Sequence, residues 1–186
     1  NESGEFYSDL VIWSEGANSS VRKIAGFKEE IEYLLGVQFR IACKNDNHLQ
    51  ARVYLKHPFF GWIIPENSSV VRAGIISRNP YHDLIELINE RKIEGEIIEK
   101  YAGIVPLGHC QSQIGNILLV GDAACQMKPL THGGINYGMR CAEILVDCIL
   151  RNKQNEYEEL WKEAFWQEIN IGIKVKRLYE KMSQED

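Results

Sequence analysis

No apolar run in this 186-residue chain approaches the roughly 18 residues a membrane-spanning helix needs. The longest candidate, Ile144 to Leu150, carries Asp147. Basic charge is not in excess either: 21 lysines and arginines face 26 aspartates and glutamates, a net charge of −5. Nothing therefore points to a nucleic-acid surface. The five cysteines lack metal-ligand spacing, and their odd number leaves at least one thiol unpaired within the chain. Buried thiols in a reducing compartment are the expectation, Cys141 and Cys148 sharing one helix face. A redox pair involving Cys110 or Cys125 is the alternative. No repeat, low-complexity tract, Ser-His-Asp set or metal motif is present. Also missing is the strand, GxGxxG, helix fingerprint that seats a dinucleotide; no glycine cluster occurs before residue 61.

What is present is concentrated between Asn116 and Ile144, NILLVGDAACQMKPLTHGGINYGMRCAEI. Ile117 to Val120 reads as a buried strand. It stops at Gly121-Asp122, with Ala123 and Ala124 behind. A loop with Pro129, Thr131, Gly133 and Gly134 follows. Ile135, Met139, Ala142, Leu145 and Ile149 then recur at helical spacing. A strand, an acidic turn and a glycine-opened helix suit an anionic or electron-rich ligand, because a helix N-terminus offers unpaired N–H groups and partial positive charge. Gly133 and Gly134 allow close approach to the backbone.

This stretch resembles the second flavin-binding motif of the para-hydroxybenzoate hydroxylase superfamily, and within it the geranylgeranyl reductases. The resemblance implies FAD, with Gly121, Asp122 and Ala123 at the ribitol and Gly133, Gly134, Ile135 and Asn136 offering N–H groups to the flavin ring. His132 stands where such proteins often carry glycine. Upstream, Ser14-Glu15-Gly16-Ala17-Asn18-Ser19-Ser20-Val21-Arg22 resembles the superfamily's middle motif, with Glu15 in place of its aspartate as a further cofactor contact. Asn18 or Ser19 reads as the N-cap of a short helix ending at Gly26. His57-Pro58-Phe59-Phe60-Gly61-Trp62-Ile63-Ile64-Pro65 resembles the family's aromatic-Gly-Trp-x-x-Pro element, which implies substrate contacts at Phe60, Trp62 and Pro65. At period two, Phe60 and Trp62 share a sheet face, as a wall for a polyprenyl chain or as ordinary core. Ile104-Val105-Pro106-Leu107-Gly108 resembles the family's Ile-Pro-x-Gly turn near the flavin, with His109 next to it.

The expected fold is α+β. Residues 1–27 close an FAD-binding segment, 28–108 form an antiparallel substrate-binding sheet domain, 109–151 carry the Gly-Asp strand and helix, and 152–186 are helical. Strands are expected over Asp9 to Trp13 and Ile31 to Cys43, a polar turn over Lys44 to Asn47, and further strands over Leu49 to Lys56, Phe60 to Ile64 and Val70 to Ser77, the last four as a meander. Asn79-Pro80 opens a helix. A short strand from Tyr101 to Val105 follows, and Glu156 to Lys181 is one helix or two broken near Gly172.

Without the GxGxxG unit, the chain reads as the C-terminal half of an FAD-dependent oxidoreductase that reduces carbon–carbon double bonds of geranylgeranyl chains, drawing on an external electron donor and an isoprenoid lipid substrate. Alone it is expected to be inactive and not to retain FAD, and its unpaired strand edges suggest a homodimer. The matching motifs offer no evident acid, so no catalytic residue is assigned. The alternatives are another flavoprotein of the superfamily (aromatic monooxygenase, halogenase or quinone-linked dehydrogenase) or a non-enzymatic lipid-binding module. The opening NESGEFYSDL is polar and acidic, unlike a secretory leader, which suggests a cytoplasmic protein. Lys174, Lys176, Arg177 and Lys181, diluted by Glu180, Glu185 and Asp186, leave peripheral membrane contact as an alternative.

Overall fold

The computed structural model describes residues 4–44, 49–56 and 59–182. Asn45 to Asn47 of the expected polar turn, His57 and Pro58 of the aromatic element, and Glu185 and Asp186 lie outside the described residues. In chain order the elements are β1 (Val11–Trp13), α1 (Ser20–Ile24), β2 (Glu29–Ala42), β3 (Arg52–Lys56), β4 (Phe59–Asn67), β5 (Val70–Ser77), α2 (Pro80–Glu90), β6 (Glu96–Cys110), β7 (Gln113–Ile114), β8 (Ile117–Leu119), α3 (Ile135–Leu150) and α4 (Tyr157–Met182). The chain divides into two compact units: 1–32 with 106–175, and 33–105 with 176–186.

The second unit is built on a five-stranded sheet in the order β3-β4-β5-β2-β6. The antiparallel sheet expected over residues 31 to 77 is present, but not as a simple meander: β2 pairs with β5 rather than with β3. Burial explains the choice. Phe39 and Ile41 of β2 lie opposite Ala73 and Val71 of β5, and these four join Ile63, Ile75, Leu84 and Leu87 in one core under α2. In β3, Val53 is 57% and Leu55 71% exposed, so that strand is suited to an edge. Pro80 sits at the first turn of α2, where its missing N–H costs nothing.

The short strand expected at 101–105 is instead the middle third of a 15-residue strand, β6, which also absorbs the expected Ile-Pro-x-Gly turn. Nine exposed residues in a row erased the alternation that would have revealed it. Pro106 is tolerated because β6 is an edge strand. Gly108 has φ +146°, and a Cβ there would meet the Glu30 carbonyl oxygen at 1.9 Å.

The first unit holds a three-stranded sheet, β1-β8-β7. β1 runs parallel to β8, with Val11 opposite Ile117 and Trp13 opposite Leu119; β7 is antiparallel to β8. Ser19 caps α1 by accepting from Arg22 N–H at 3.0 Å, and Gly26 follows with φ +74°. The C-terminal helix α4 is unbroken. Gly172 does not interrupt it but gives room to a neighbour, since a Cβ there would meet the Pro129 ring at 3.1 Å. All five cysteines are free thiols. Burial pushes Cys110 up to about 12 and Cys125 higher still, so both stay protonated.

Candidate functional site

The end of β8 makes a sharp acidic turn. Gly121 takes φ +71° and Cys125 φ 55°, closing a short 3-10 turn over Gly121–Ala124. A buried relay fixes it. Gly121 N–H donates to Gln126 Oε1 at 2.8 Å, the Gln126 amide donates to Tyr157 Oη at 2.8 Å, and the Tyr157 hydroxyl donates to the Leu119 carbonyl at 2.9 Å. Burial holds the Tyr157 phenol above its ordinary range, so it remains a donor. Gln126 and Tyr157 were not singled out from the sequence. An amide inside the buried run Ala123 to Met127 was the available signal, and Tyr157, 31 residues downstream, gave none.

Arg22 ties the middle motif to this turn across 101 residues of sequence. The side chain is fully buried. Its guanidinium donates to the Ala123 carbonyl at 2.7 Å and to the Ala17 carbonyl at 2.8 Å, and it pairs with Glu29. Glu15 serves the head of α1: Val21 N–H donates to its Oε1 at 3.1 Å and the Ser20 hydroxyl to its Oε2 at 3.0 Å. Partial desolvation opposes the charge, but donors at Ser19, Val21 and Ser20 outweigh it and hold the carboxyl down to about 2. At α4, the Ser112 and Gln113 N–H groups donate to Glu158 at 2.8 and 3.0 Å, closing the loop before β8.

Beyond the turn, Asp122 overhangs the start of α3. Its Oδ1 lies 2.6 Å from where a Cβ on residue 134 would sit, so only glycine fits there beside this rotamer. Gly134 is the N-cap of α3 and has no side-chain cap; the first bond into the helix is Gly138 N–H to the Gly134 carbonyl at 2.8 Å. The N–H groups of Ile135 and Asn136 therefore have no acceptor among the described residues, as a helix start requires. The Asp122 carboxylate is half-buried, and burial raises its pKa above the ordinary value. Among the described residues, no group donates a hydrogen bond to it.

Gly121, Asp122, Lys128, His132, Gly133, Gly134, Ile135, Asn136, Gly138 and Met139 line an open cleft of about 640 Å³. Six of the seven residues predicted around the Gly-Asp turn and helix start thus share one cleft; Ala123 is buried behind it. His132 has left-handed backbone, φ 57°, a conformation that glycine adopts without strain. Glu15 and His109 are not among the lining residues. His109 lies against Trp166 with ring centroids 4.4 Å apart and ring planes tilted by 43°, in a separate cleft with Cys110, Glu158 and Lys162.

In the second unit, Phe60 and Trp62 lie on the sheet face away from α2. Gly61 between them faces α2, where a Cβ would meet Leu87 Cδ2 at 3.0 Å. The two rings are 6.1 Å apart. Trp62 lies over Gly74, where a Cβ would come within 2.2 Å of the indole, and its Nε1 donates to Gln38 Oε1 at 3.0 Å. Their register partners Leu55 and Val53 widen this apolar face. Pro65 does not join it; it falls with Ile63 and Val71 in a pocket on the other side.

No protein-family model matches the chain. Among curated proteins, an uncharacterized protein of Methanocaldococcus jannaschii is 34% identical over 95% of this chain and 51% of its own length. Digeranylgeranylglycerophospholipid reductase 1 of Methanococcoides burtonii is 28% identical over 96% of this chain and 50% of its own length. Among solved structures, a geranylgeranyl bacteriochlorophyll reductase-like protein of Thermoplasma acidophilum superposes with a TM-score of 0.80 at 23% identity, covering 91% of this chain and 50% of that one. The chain spans about half the length of the curated relatives it matches. Over that half it is similar to geranylgeranyl reductases in sequence and shares the fold of the reductase-like protein, as the motifs led one to expect.

Proposed function

We propose that the chain provides the flavin-ring side and the substrate sheet of an FAD-dependent reductase that saturates isolated double bonds of geranylgeranyl chains carried on lipids. The observation that carries the proposal is the half-buried Asp122 carboxylate, without a protein donor among the described residues, held over the glycine N-cap of α3. A carboxylate in that setting needs donors, and the hydroxyls of a ribitol are suitable ones. The N–H groups of Ile135 and Asn136, with those of Gly133 and Gly134, suit the electron-rich edge of an isoalloxazine ring. FAD, when bound, supplies the hydride chemistry. The face formed by Leu55, Val53, Phe60 and Trp62 holds the isoprenoid by apolar burial.

The exposed outer stripe of α3, Ile135, Met139, Val146 and Leu150, and the free edge of β1 supply surface for a further partner, an ADP-binding βαβ unit or a second copy. An external electron donor completes the proposed reaction. Membrane contact is assigned to the basic end of α4. No helix among the described residues is long and apolar enough to cross a membrane.

Two measurements on Asp122 test the proposal. In the natural protein carrying these residues, Asp122→Ala is expected to weaken FAD retention by about 1–3 kcal/mol, read by flavin absorbance after dialysis. Unchanged affinity removes Asp122 from the site. In the 186-residue chain itself, which lacks the GxGxxG unit, no flavin absorbance is expected after purification and titration with FAD. There Asp122→Asn is expected to stabilise by about 0.5–2 kcal/mol at pH 7. A carboxyl whose folded pKa is raised favours folding below its unfolded pKa and loses that contribution as pH rises through the folded value. The gain should therefore vanish near pH 3, and a gain of equal size there would contradict this account of Asp122.

A further inference from the structure

A small pocket in the second unit, outside the site above, gathers positive charge in an otherwise acidic chain. It measures about 130 Å³ and is lined by Lys44, Gln50, Arg52, Arg91, Lys92 and Glu94 over a floor of Cys43, Ile63, Pro65, Val71 and Ile93. Four cationic side chains thus face one carboxylate, in a chain whose net charge is −5. Three separate segments contribute: Lys44 follows β2, Arg52 opens β3, and Arg91 and Lys92 follow α2. The negative end of α2 accounts for cations at Arg91 and Lys92; it does not account for Arg52, brought in from a different strand.

The geometry is built rather than loose. Arg91 lies over the Tyr54 ring, its guanidinium carbon 4.4 Å from the centroid, which limits its rotamers. Lys92 takes left-handed backbone, φ 52°. Gly95 seats the following turn against the end of β2, since a Cβ there would meet the Ala42 carbonyl oxygen at 2.1 Å. Among the described residues, Arg52, Arg91 and Lys92 have no carboxylate partner within salt-bridge distance; the ion pairs of Arg40 with Glu66 and Glu99 and of Arg72 with Glu66 in this sheet are formed by other residues.

We infer that the pocket lined by Arg52, Arg91 and Lys92 binds a phosphate-type oxyanion. A cavity well below the roughly 300 Å³ of ordinary organic-ligand sites suits a compact anion, and forked guanidinium donors match its oxygens. The anion is either free phosphate or a phosphate group borne by a lipid. The site lies on the α2 side of the sheet, opposite the Phe60 and Trp62 face, and stands independently of the flavin reading.

The test titrates the 186-residue chain with inorganic phosphate against chloride at matched ionic strength. A second arm uses phosphatidylcholine vesicles with and without phosphatidic acid. Saturable binding in either arm is expected, weakened about tenfold or more by Arg52→Gln combined with Lys92→Gln. All three altered side chains in these tests are exposed, and an unchanged melting temperature without phosphate confirms folding. Glu94→Gln should tighten binding, because it removes the sole carboxylate of the lining. Phosphate binding identifies a free-anion site, and binding to phosphatidic acid vesicles alone identifies a lipid-borne group. No binding in either arm, binding indifferent to the double substitution, or a Glu94→Gln variant that binds no more tightly overturns the inference.

Discussion

Arg22→Met is expected to unfold the first unit at far milder conditions than the native chain, losing about 3–5 kcal/mol. The substitution fills much of the volume but strands three acceptors. The Ala123 and Ala17 carbonyls lose donors at 2.7 and 2.8 Å, and Glu29 loses its cation. The Ala123 carbonyl is buried, where water is a poor substitute, whereas Ala17 is half-buried and Glu29 reaches solvent. Lysine should rescue little, because an ammonium cannot reproduce a planar fork that spans three acceptors in different directions. Denaturant unfolding followed by tryptophan fluorescence suits the measurement, since Trp13, Trp161 and Trp166 all belong to this unit. A loss below about 1 kcal/mol would show that the guanidinium is dispensable and that something else holds the middle motif to the Gly-Asp turn.

Gly108→Ala is expected to cost about 3–5 kcal/mol. The obstacle is backbone on both sides. The new Cβ would lie 1.9 Å from the Glu30 carbonyl oxygen and 3.0 Å from Ile31 Cα, and no side chain can rotate away to relieve it. The φ of +146° adds strain of its own for any residue with a Cβ. Gly103, in the same strand, is the matched control: a Cβ there meets nothing within 4 Å, so Gly103→Ala should change stability by no more than about 0.5 kcal/mol. Equal effects at the two positions would mean that β2 and β6 separate more readily than their close approach at Glu30 implies.

The parts of the fold that were legible in the sequence are those whose signal is local. The Gly-Asp turn and the helix after it announced themselves through a short apolar run, two glycines and a 3.6-residue period, and α3 begins at Ile135, the first of the residues at helical spacing. Ser19 was likewise visible as one of two candidate caps, with Asn18, and is the one that forms. What was hidden depends on distant partners or on exposure. The placement of β2 beside β5 follows from which strands can bury Phe39 and Ile41, and no residue of β2 states that preference. The length of β6 was masked because its first nine residues face solvent. Arg22 could be read as a motif member, but its reach to Ala123 could not. Pro65 was grouped with Trp62 by the resemblance to the aromatic-Gly-Trp-x-x-Pro element, although an odd offset along a strand sends it to the opposite face.

The connectivity has an evolutionary reading. The chain leaves the first unit at Glu32 and returns to it at Pro106, so the sheet with its Phe60 and Trp62 face lies inside the other unit's sequence like a long insertion. These two crossings occur within continuous strands, β2 and β6, and a third, after Val175, within α4. An inserted segment anchored by two strands can be exchanged only in register, because a one-residue slip would invert every side chain beyond the junction. Selection on the sheet's outer face is then free to alter the surface offered to a ligand, while the length and phase of the two strands at the junction are held constant. Among descendants of such a chain, residues on the exposed face should diverge faster than the spacing around Gly108.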